Sequence, residues 1–404
     1  MVRQKLFILV ACIYILAITC SLWTSYLLIS PTFYPILVLC VCALCYPADL
    51  MRNSFFRVAL FYCFVLFLIP SIHKLSAASF SYGSGDYVTA LIESAFILPS
   101  VAISAIIYEH KDRKEVKYIA FTGIVAVVIS LFFMIPTIIV DNSAIRMYSE
   151  HVNADMRIDT SQMAVARLFW NYPMCHAIAL LFPAYIALYR FAQNKRDRIL
   201  FLALVLAVFI FIIQSSIATT IFFSLICLVF AYNERIERNK LFVYVCEFVI
   251  LGLLYFALPS IINLASDFFE GGAMEGKIQD LSSLLQGRED ENGSFSVRSE
   301  RHRQAWECFW NSPFWGDFLP VNGHSVFLNR LASLGLLGII PFCLIFTKFF
   351  YNYKFMFGDR LKMYYYLAFT CTTVIIYIKG VLGQEGYITI FVLVPTTLLW
   401  LQNR

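Results

Sequence analysis

Charged residues are scarce in this sequence. Asp, Glu, Lys and Arg make up 14% of its 404 residues, whereas a soluble domain carries about 25%. Apolar residues make up 60%. Apolar runs of about twenty residues, long enough to cross a hydrocarbon core about 30 Å thick, recur along the whole chain. The composition therefore excludes an ordinary water-soluble protein and predicts a polytopic membrane protein.

The first apolar stretch lacks a cleavage site. It follows a basic start and continues to Ile29 without a small-x-small pattern, which predicts a retained first helix and not a signal peptide. The net charge of +5 is small. It reflects the distribution of loop charges and gives no case for a nucleic-acid partner.

Motifs for metals and nucleotides are also missing. The sequence has no two CxxC motifs that could form a metal site, no zinc-ligand spacing and no Walker motif. Cys308 is the only one of twelve cysteines in the large loop, so a disulfide within that loop is excluded. We expect no metal and no cofactor. Because the far side of a membrane holds no ATP, a reaction there must use an activated, lipid-borne substrate.

Twelve transmembrane helices are predicted from the apolar runs. The spans are 6–29, 33–47, 54–72, 87–108, 118–140, 172–193, 199–213, 217–232, 241–264, 324–350, 363–382 and 387–401. Positive residues concentrate in cytoplasmic loops, and the majority of the 31 Lys and Arg residues fall on the N-terminal side. This pattern predicts that both termini are cytoplasmic.

The predicted organisation has three parts. Residues 1–264 form nine transmembrane helices with short loops, 265–323 form one large loop on the far side, and 324–404 form three more helices. The first half of the loop is acidic and Gly-rich, which is typical of a mobile cover. The second half, SVRSERHRQAWECFWNSPFWG, predicts an amphipathic helix that ends before Pro313.

The loop helix carries the first candidate site. Arg298, Arg301 and Arg303 surround His302 and precede a run of Trp and Phe residues. A planar guanidinium binds phosphate through two parallel hydrogen bonds, so these arginines are candidate diphosphate ligands. The alternative is a surface helix that anchors on anionic lipid without catalysis.

Further candidates lie at the entrances of three spans. His324 opens the tenth span and is suited to act as a general base near neutral pH, although a structural hydrogen bond is the alternative. Arg330 lies deeper in that span, where a charge is costly unless it faces the bundle interior or snorkels, so we expect it to line a polar cavity. Arg167 precedes the sixth span. Lys379 and Glu385 lie in the last hairpin, either as an ion pair or with Lys379 binding phosphate.

These segments together resemble the O-antigen polymerase and O-antigen ligase superfamily. The shared pattern is an arginine, an alanine and a bulky apolar residue at helical spacing, Pro-x-x-Gly, then a histidine and a span with Gly-Leu-x-Gly. It is carried by Arg298, Ala305, Phe309, Pro313, Gly316, His324, Gly335 and Gly338. The segment RLFWNYPMCHAIALLFP resembles an earlier family motif through Arg167 and Pro173, with Asn171 two places before the proline.

The resemblance implies an all-α, GT-C-like bundle in the bacterial inner membrane. It implies a metal-independent, inverting glycosyltransferase that moves a glycan from undecaprenyl diphosphate to a sugar acceptor in the periplasm. By the same resemblance, Arg298 holds the diphosphate and His324 deprotonates or orients the acceptor hydroxyl. Membrane lipid and, by analogy, a polysaccharide chain-length regulator are the expected partners.

Two departures from the family pattern affect the phosphate site. The stretch QSSIATT at 214–220 lacks the arginine of the usual Ser-Arg-Gly, and Arg167, Arg301 or Lys379 are candidates to replace it. Ser325 follows the histidine where asparagine is usual, and His302 replaces an aromatic residue.

Three functions remain open from the sequence. The lost arginine and the short stretch between Gly316 and His324 favour an O-antigen polymerase over a ligase that transfers the glycan to lipid A-core. A secondary transporter is the alternative of another class. Transporters keep ionisable residues near the membrane midplane and have related halves, whereas here the charges gather at the far-side interface and no repeat is visible.

Overall fold

The computed structural model describes residues 2–20, 33–76, 85–110, 115–140, 172–214, 218–233, 296–317, 325–378 and 382–403, together with Ser283. All regular structure in these residues is helical. The helices are α1 Val2–Thr19, α2 Phe33–Cys45, α3 Pro47–Arg52, α4 Ser54–Ser76, α5 Gly85–Glu109, α6 Glu115–Val140, α7 Tyr172–Arg190, α8 Lys195–Gln214, α9 Ala218–Asn233, α10 Ser296–Asn311, α11 Val326–Lys354, α12 Asp359–Ile378, α13 Gly383–Ile388 and α14 Val394–Gln402.

Seven helical segments within the described residues are long and apolar enough to cross a membrane. They are Val2–Thr19, Ser54–His73, Tyr87–Glu109, Val116–Pro136, Val326–Lys354, Asp359–Ile378 and Gly383–Gln402. The prediction of a polytopic helical membrane protein is thereby confirmed. The predicted span 241–264 lies outside the described residues, and each of the other predicted spans overlaps a described helix.

A continuous helical rod occupies the centre of the bundle. It consists of α13, a π-helical turn at Thr389–Leu393 and α14. After Glu385 the rod carries no charged residue and is mostly apolar, which is typical of a helix buried on all sides. It contacts α1, α5, α6, α7 and α12, and almost all of its side chains are buried.

The long helix α11 runs antiparallel to α4. The ring of Phe55 packs edge-on against Phe349, with centroids 5.7 Å apart, and the ring of Tyr62 lies 5.5 Å from that of Phe342. As the residue number rises on α4 it falls on α11, which fixes the opposite direction of the two helices. The start of α11 and the end of α4 therefore lie on the same side of the bundle. That side, where α10 also packs, is called the α10 side below.

Candidate functional site

The loop helix α10 is amphipathic, as the sequence predicts. Its inner face buries Ala305 and Phe309, which are four residues apart and therefore one above the other. Its outer face exposes Trp306 and Trp310. The helix ends at Asn311, two residues before Pro313. Exposed tryptophans on an amphipathic helix are typical of the interface between membrane and water.

The turn after α10 is joined to a kink in α11 by main-chain hydrogen bonds. At Gly335 the helical path of α11 is interrupted, with φ of 58° and ψ of −159°. The amides of Leu336 and Leu337 therefore lose their partners within the helix and donate to the carbonyls of Pro313 and Phe314, at 2.8 and 2.9 Å.

The kink also leaves the carbonyl oxygen of Ala332 without its usual donor in the helix, and the turn after α10 provides another donor. In an uninterrupted helix, the carbonyl of Ala332 would accept from the amide of Leu336. Here it accepts from the amide of Asp317 at 3.0 Å. The turn thus supplies both the acceptors and a donor that the broken helix needs. We call these reciprocal contacts between residues 313–317 and 332–337 the glycine junction.

Two glycines allow the two main chains to come this close. A Cβ on Gly335 would lie 2.5 Å from the carbonyl carbon of Phe314 and 2.6 Å from the amide nitrogen of Gly316. Gly316 has a φ of 67°, and a Cβ on it would overlap the backbone of Ser333. Both glycines belong to the motif that carries the family resemblance. The structure gives them a physical role, which is to attach α10 to the start of α11.

Ser325 begins α11 as its N-cap. Its side-chain oxygen accepts from the amide of Leu328 at 3.2 Å, and the residue is fully buried. The serine therefore positions the chain that directly follows His324. His324 itself lies outside the described residues.

Replacing Ser325 with alanine should destabilise the start of α11. Loss of an N-cap costs about 0.5–2 kcal/mol, so we expect a lower melting temperature in detergent and reduced activity. Ser325→Asp retains an acceptor at this position and is the matched control, although its burial permits only partial recovery. Equal stability of S325A and the native protein would contradict a capping role.

A buried ionic cluster inside the bundle joins α11 to α4, α5 and the central rod. The Arg330 guanidinium pairs with the carboxylate of Glu93 on α5, and the Tyr62 hydroxyl donates to the same carboxylate. The phenol of Tyr387 on the central rod also interacts with Arg330. The Glu93 side chain is 8% exposed and that of Arg330 is 24% exposed. The predicted inward orientation of Arg330 agrees with this arrangement.

Sequence reasoning did not find Glu93, Tyr62 or Tyr387. A signal was present, since Glu93 is a carboxylate six positions after the start of the predicted span 87–108, and ionisable groups within a span are rare and usually paired. Its partner, Arg330, is 237 positions away in the sequence. Only the tertiary structure, in which α4 packs against both α5 and α11, reveals that they meet.

The arginines of α10 differ in their surroundings. Arg303 is exposed and binds both oxygens of Glu300, at 2.6 and 2.8 Å, and also pairs with Glu307. The Arg303 guanidinium lowers the pKa of Glu300 below its ordinary value. Its charge is therefore balanced by two carboxylates of its own helix. Arg301 is half-buried.

His302 lies in the middle of α10 and has a buried polar atom. It is half-buried, and its Nε2 atom is buried without a hydrogen-bond partner in the described part of the chain. Arg298 lies in the first turn of α10, but its side chain is outside what the structure describes. Arg167 and Lys379 also lie outside the described residues.

Two of the predicted segments meet at the start of the central rod. A Cβ on Gly383 would lie 2.5 Å from the Cβ of Pro173, so the beginning of α7 touches the beginning of α13. Glu385 is half-buried in the first turn of α13. Beside it, Gln384 donates to the hydroxyl of Tyr14 at 3.1 Å. Pro173 and Glu385, one from each of these two segments, thus lie at the same end of the rod.

The described residues bring no three His, Cys, Asp or Glu side chains close enough to hold a metal ion. The polar groups described on the α10 side include guanidiniums, an imidazole and phenols, and the guanidiniums of Arg303 and Arg330 are paired with carboxylates. A guanidinium suits the binding of an anion, and an imidazole suits the transfer of a proton. Comparison with protein-family models, with curated proteins and with solved structures finds no match to this chain.

Proposed function

We propose that this protein is an O-antigen-type polysaccharide polymerase of the bacterial inner membrane. In this proposal it has twelve transmembrane helices and cytoplasmic termini, and the α10 side faces the periplasm. It transfers a glycan from undecaprenyl diphosphate onto a lipid-linked repeat unit.

The glycine junction is the observation that carries the proposal. It attaches the arginine-bearing helix α10 to the start of α11, close to the position of His324 in the sequence. A transferase of lipid-linked glycans needs cations beside the diphosphate and a base beside the acceptor, both held rigidly. The exposed tryptophans of α10 suit the headgroup depth at which a lipid diphosphate lies.

The proposed reaction needs only groups of this chain. The acceptor hydroxyl attacks the anomeric carbon of the donor glycan while the bond from that carbon to the diphosphate oxygen breaks. The hydroxyl proton passes to His324, and Arg298 stabilises the charge on the departing undecaprenyl diphosphate. Arg301 and His302 line the same helix and support the diphosphate, with Arg167 and Lys379 as further candidates.

The surface glycan of a deletion strain tests the proposal. Loss of a polymerase leaves a single repeat unit on the lipid A-core, whereas loss of a ligase leaves the core bare while lipid-linked polymer accumulates. Complementation with the native protein should restore long chains, and complementation with His324→Ala should not. A deletion strain with unchanged surface glycan would refute both functions.

The arginines of α10 should differ in their effect on activity. Because Glu300 and Glu307 already neutralise Arg303, we expect Arg303→Gln to keep most of the chain-length distribution. Arg298→Gln should reduce polymer formation by about tenfold or more, since a charge-assisted contact to phosphate contributes about 1.5–3 kcal/mol. The two variants remove the same charge from the same helix. Equal losses would show that only the net charge of α10 matters.

One observation favours a secondary transporter as a second candidate. The Glu93–Arg330 pair lies inside the bundle, and intramembrane ion pairs often mark ion pathways. Proteoliposomes distinguish the two functions: a transporter would take up a small solute, whereas a polymerase would lengthen purified lipid-linked repeat units without any uptake.

A further inference from the structure

A groove on the outer surface of the bundle lies between α4 and α11, toward the end opposite α10. It has a volume of about 280 Å³, close to the lower limit of small-molecule sites, which is about 300 Å³. Its rim carries two cations, Arg57 and Lys348, and its floor is apolar. Neither cation forms an ion pair within the described residues.

The two helices repeat the same order of residues along the groove. On α4, Phe61 lies one turn further into the bundle than Arg57. On α11, Leu344 and Ile340 lie one and two turns further than Lys348. Residues four apart share one face of a helix, so each wall has its cation at the rim and its apolar side chains deeper in the membrane.

This order matches the order of groups in a phospholipid. The phosphate lies at the membrane surface and the acyl chain extends inward. From Lys348 to Ile340 the groove extends about 12 Å along α11, at 1.5 Å per residue. The side chains of Phe61 and Ile340 are about half exposed, at 50% and 52%. Pro341 contributes to the floor. A zwitterionic headgroup has no net charge and would leave both positive charges of the rim unbalanced, whereas an anionic headgroup balances one of them.

We propose that this groove binds an acidic phospholipid, with its phosphate between Arg57 and Lys348 and one acyl chain along Phe61, Leu344 and Ile340. In the orientation proposed above, the lipid belongs to the cytoplasmic leaflet. The site is separate from the glycan-transfer site on the α10 side, so it does not depend on that function.

Native mass spectrometry of the full-length protein in detergent micelles tests the site. The probes are phosphatidylglycerol, phosphatidylcholine with the same acyl chains, and inorganic phosphate. We expect phosphatidylglycerol to bind about tenfold more tightly to the native protein than to the Arg57→Gln, Lys348→Gln double variant. Phosphatidylcholine should bind more weakly, and millimolar inorganic phosphate should not displace the bound lipid.

Two further variants test whether lipid binding depends on this groove. Arg360→Gln with Lys362→Gln removes the same charge at the start of α12, outside the groove, and should leave binding unchanged. Ile340→Trp fills the deep part of the groove without changing charge and should weaken binding as much as the loss of the cations. Equal binding to the Arg57/Lys348 variant, an equal loss in the Arg360/Lys362 variant, normal binding to Ile340→Trp, or displacement by free phosphate would each overturn the proposal.

Discussion

Replacing Gly335 with alanine should detach α10 from α11 and abolish polymer formation. Gly335 has a φ of 58° and a ψ of −159°, a region that only glycine occupies readily, and another residue there costs about 1–3 kcal/mol. The new methyl group would also overlap the carbonyl carbon of Phe314. Separation of the two main chains relieves the overlap but breaks the hydrogen bonds of the glycine junction.

The size of the effect follows from these two costs. A penalty of about 3 kcal/mol changes the ratio of attached to detached α10 by about a hundredfold. We therefore expect mostly single repeat units on the lipid A-core of cells that carry Gly335→Ala. The purified variant should also show faster proteolysis within 296–317.

Gly358→Ala is the matched control. Gly358 has ordinary backbone angles, and a Cβ placed on it meets no atom within 4 Å. That variant should behave as the native protein does. Gly316→Ala affects the other side of the same junction and should reproduce the defect of Gly335→Ala. Normal polymer from both junction variants would show that the attachment of α10 is dispensable.

The second large effect is expected at the buried ion pair. Removal of one partner from such a pair costs about 3–5 kcal/mol because the other charge remains buried without compensation. Glu93→Gln should therefore lower the melting temperature of the purified protein sharply. Arg330→Met should do the same, since among the described residues it leaves the Glu93 carboxylate with the Tyr62 hydroxyl but without a cation.

The double variant Glu93→Gln, Arg330→Met separates stability from function. With both charges removed, much of the lost stability should return, and a double-mutant cycle measures the coupling between the two residues. Tyr62→Phe removes only one hydrogen bond and should cost less, about 0.5–1.5 kcal/mol. Additive losses in the cycle would contradict a direct pair. A double variant that is stable but inactive would show that the charges serve the site as well as the fold.

The positions of the helices could be predicted from the sequence because the signal is local. Each apolar run defines a helix by itself, since a backbone in lipid must satisfy its own hydrogen bonds. The α10 helix was predictable for a similar reason: Ala305 and Phe309 repeat at helical spacing, and Pro313 marks its end. The sequence also shows Gly316 and Gly335 as members of the motif, but it does not show what they contact.

What the glycines do depends on a contact between distant segments. Gly316 and Gly335 are nineteen residues apart, and no local pattern shows that their main chains touch. The same holds for Glu93 and Arg330, which belong to different spans. The central position of the last helix is also a packing result, because an apolar sequence favours lipid and protein surroundings equally.

By itself, the sequence determined that this is a helical membrane protein with a basic, aromatic loop helix before α11. Composition and periodicity suffice for this because they indicate which segments lie in lipid and which lie in water. The tertiary structure alone decided which groups meet: the glycine junction, the Glu93–Arg330 pair and the groove between α4 and α11. Their physical cause is the same in each case. Contacts between main chains, pairs of buried charges and surface grooves form only when helices pack against each other. The sequence of one helix does not show which residues of another helix it will contact.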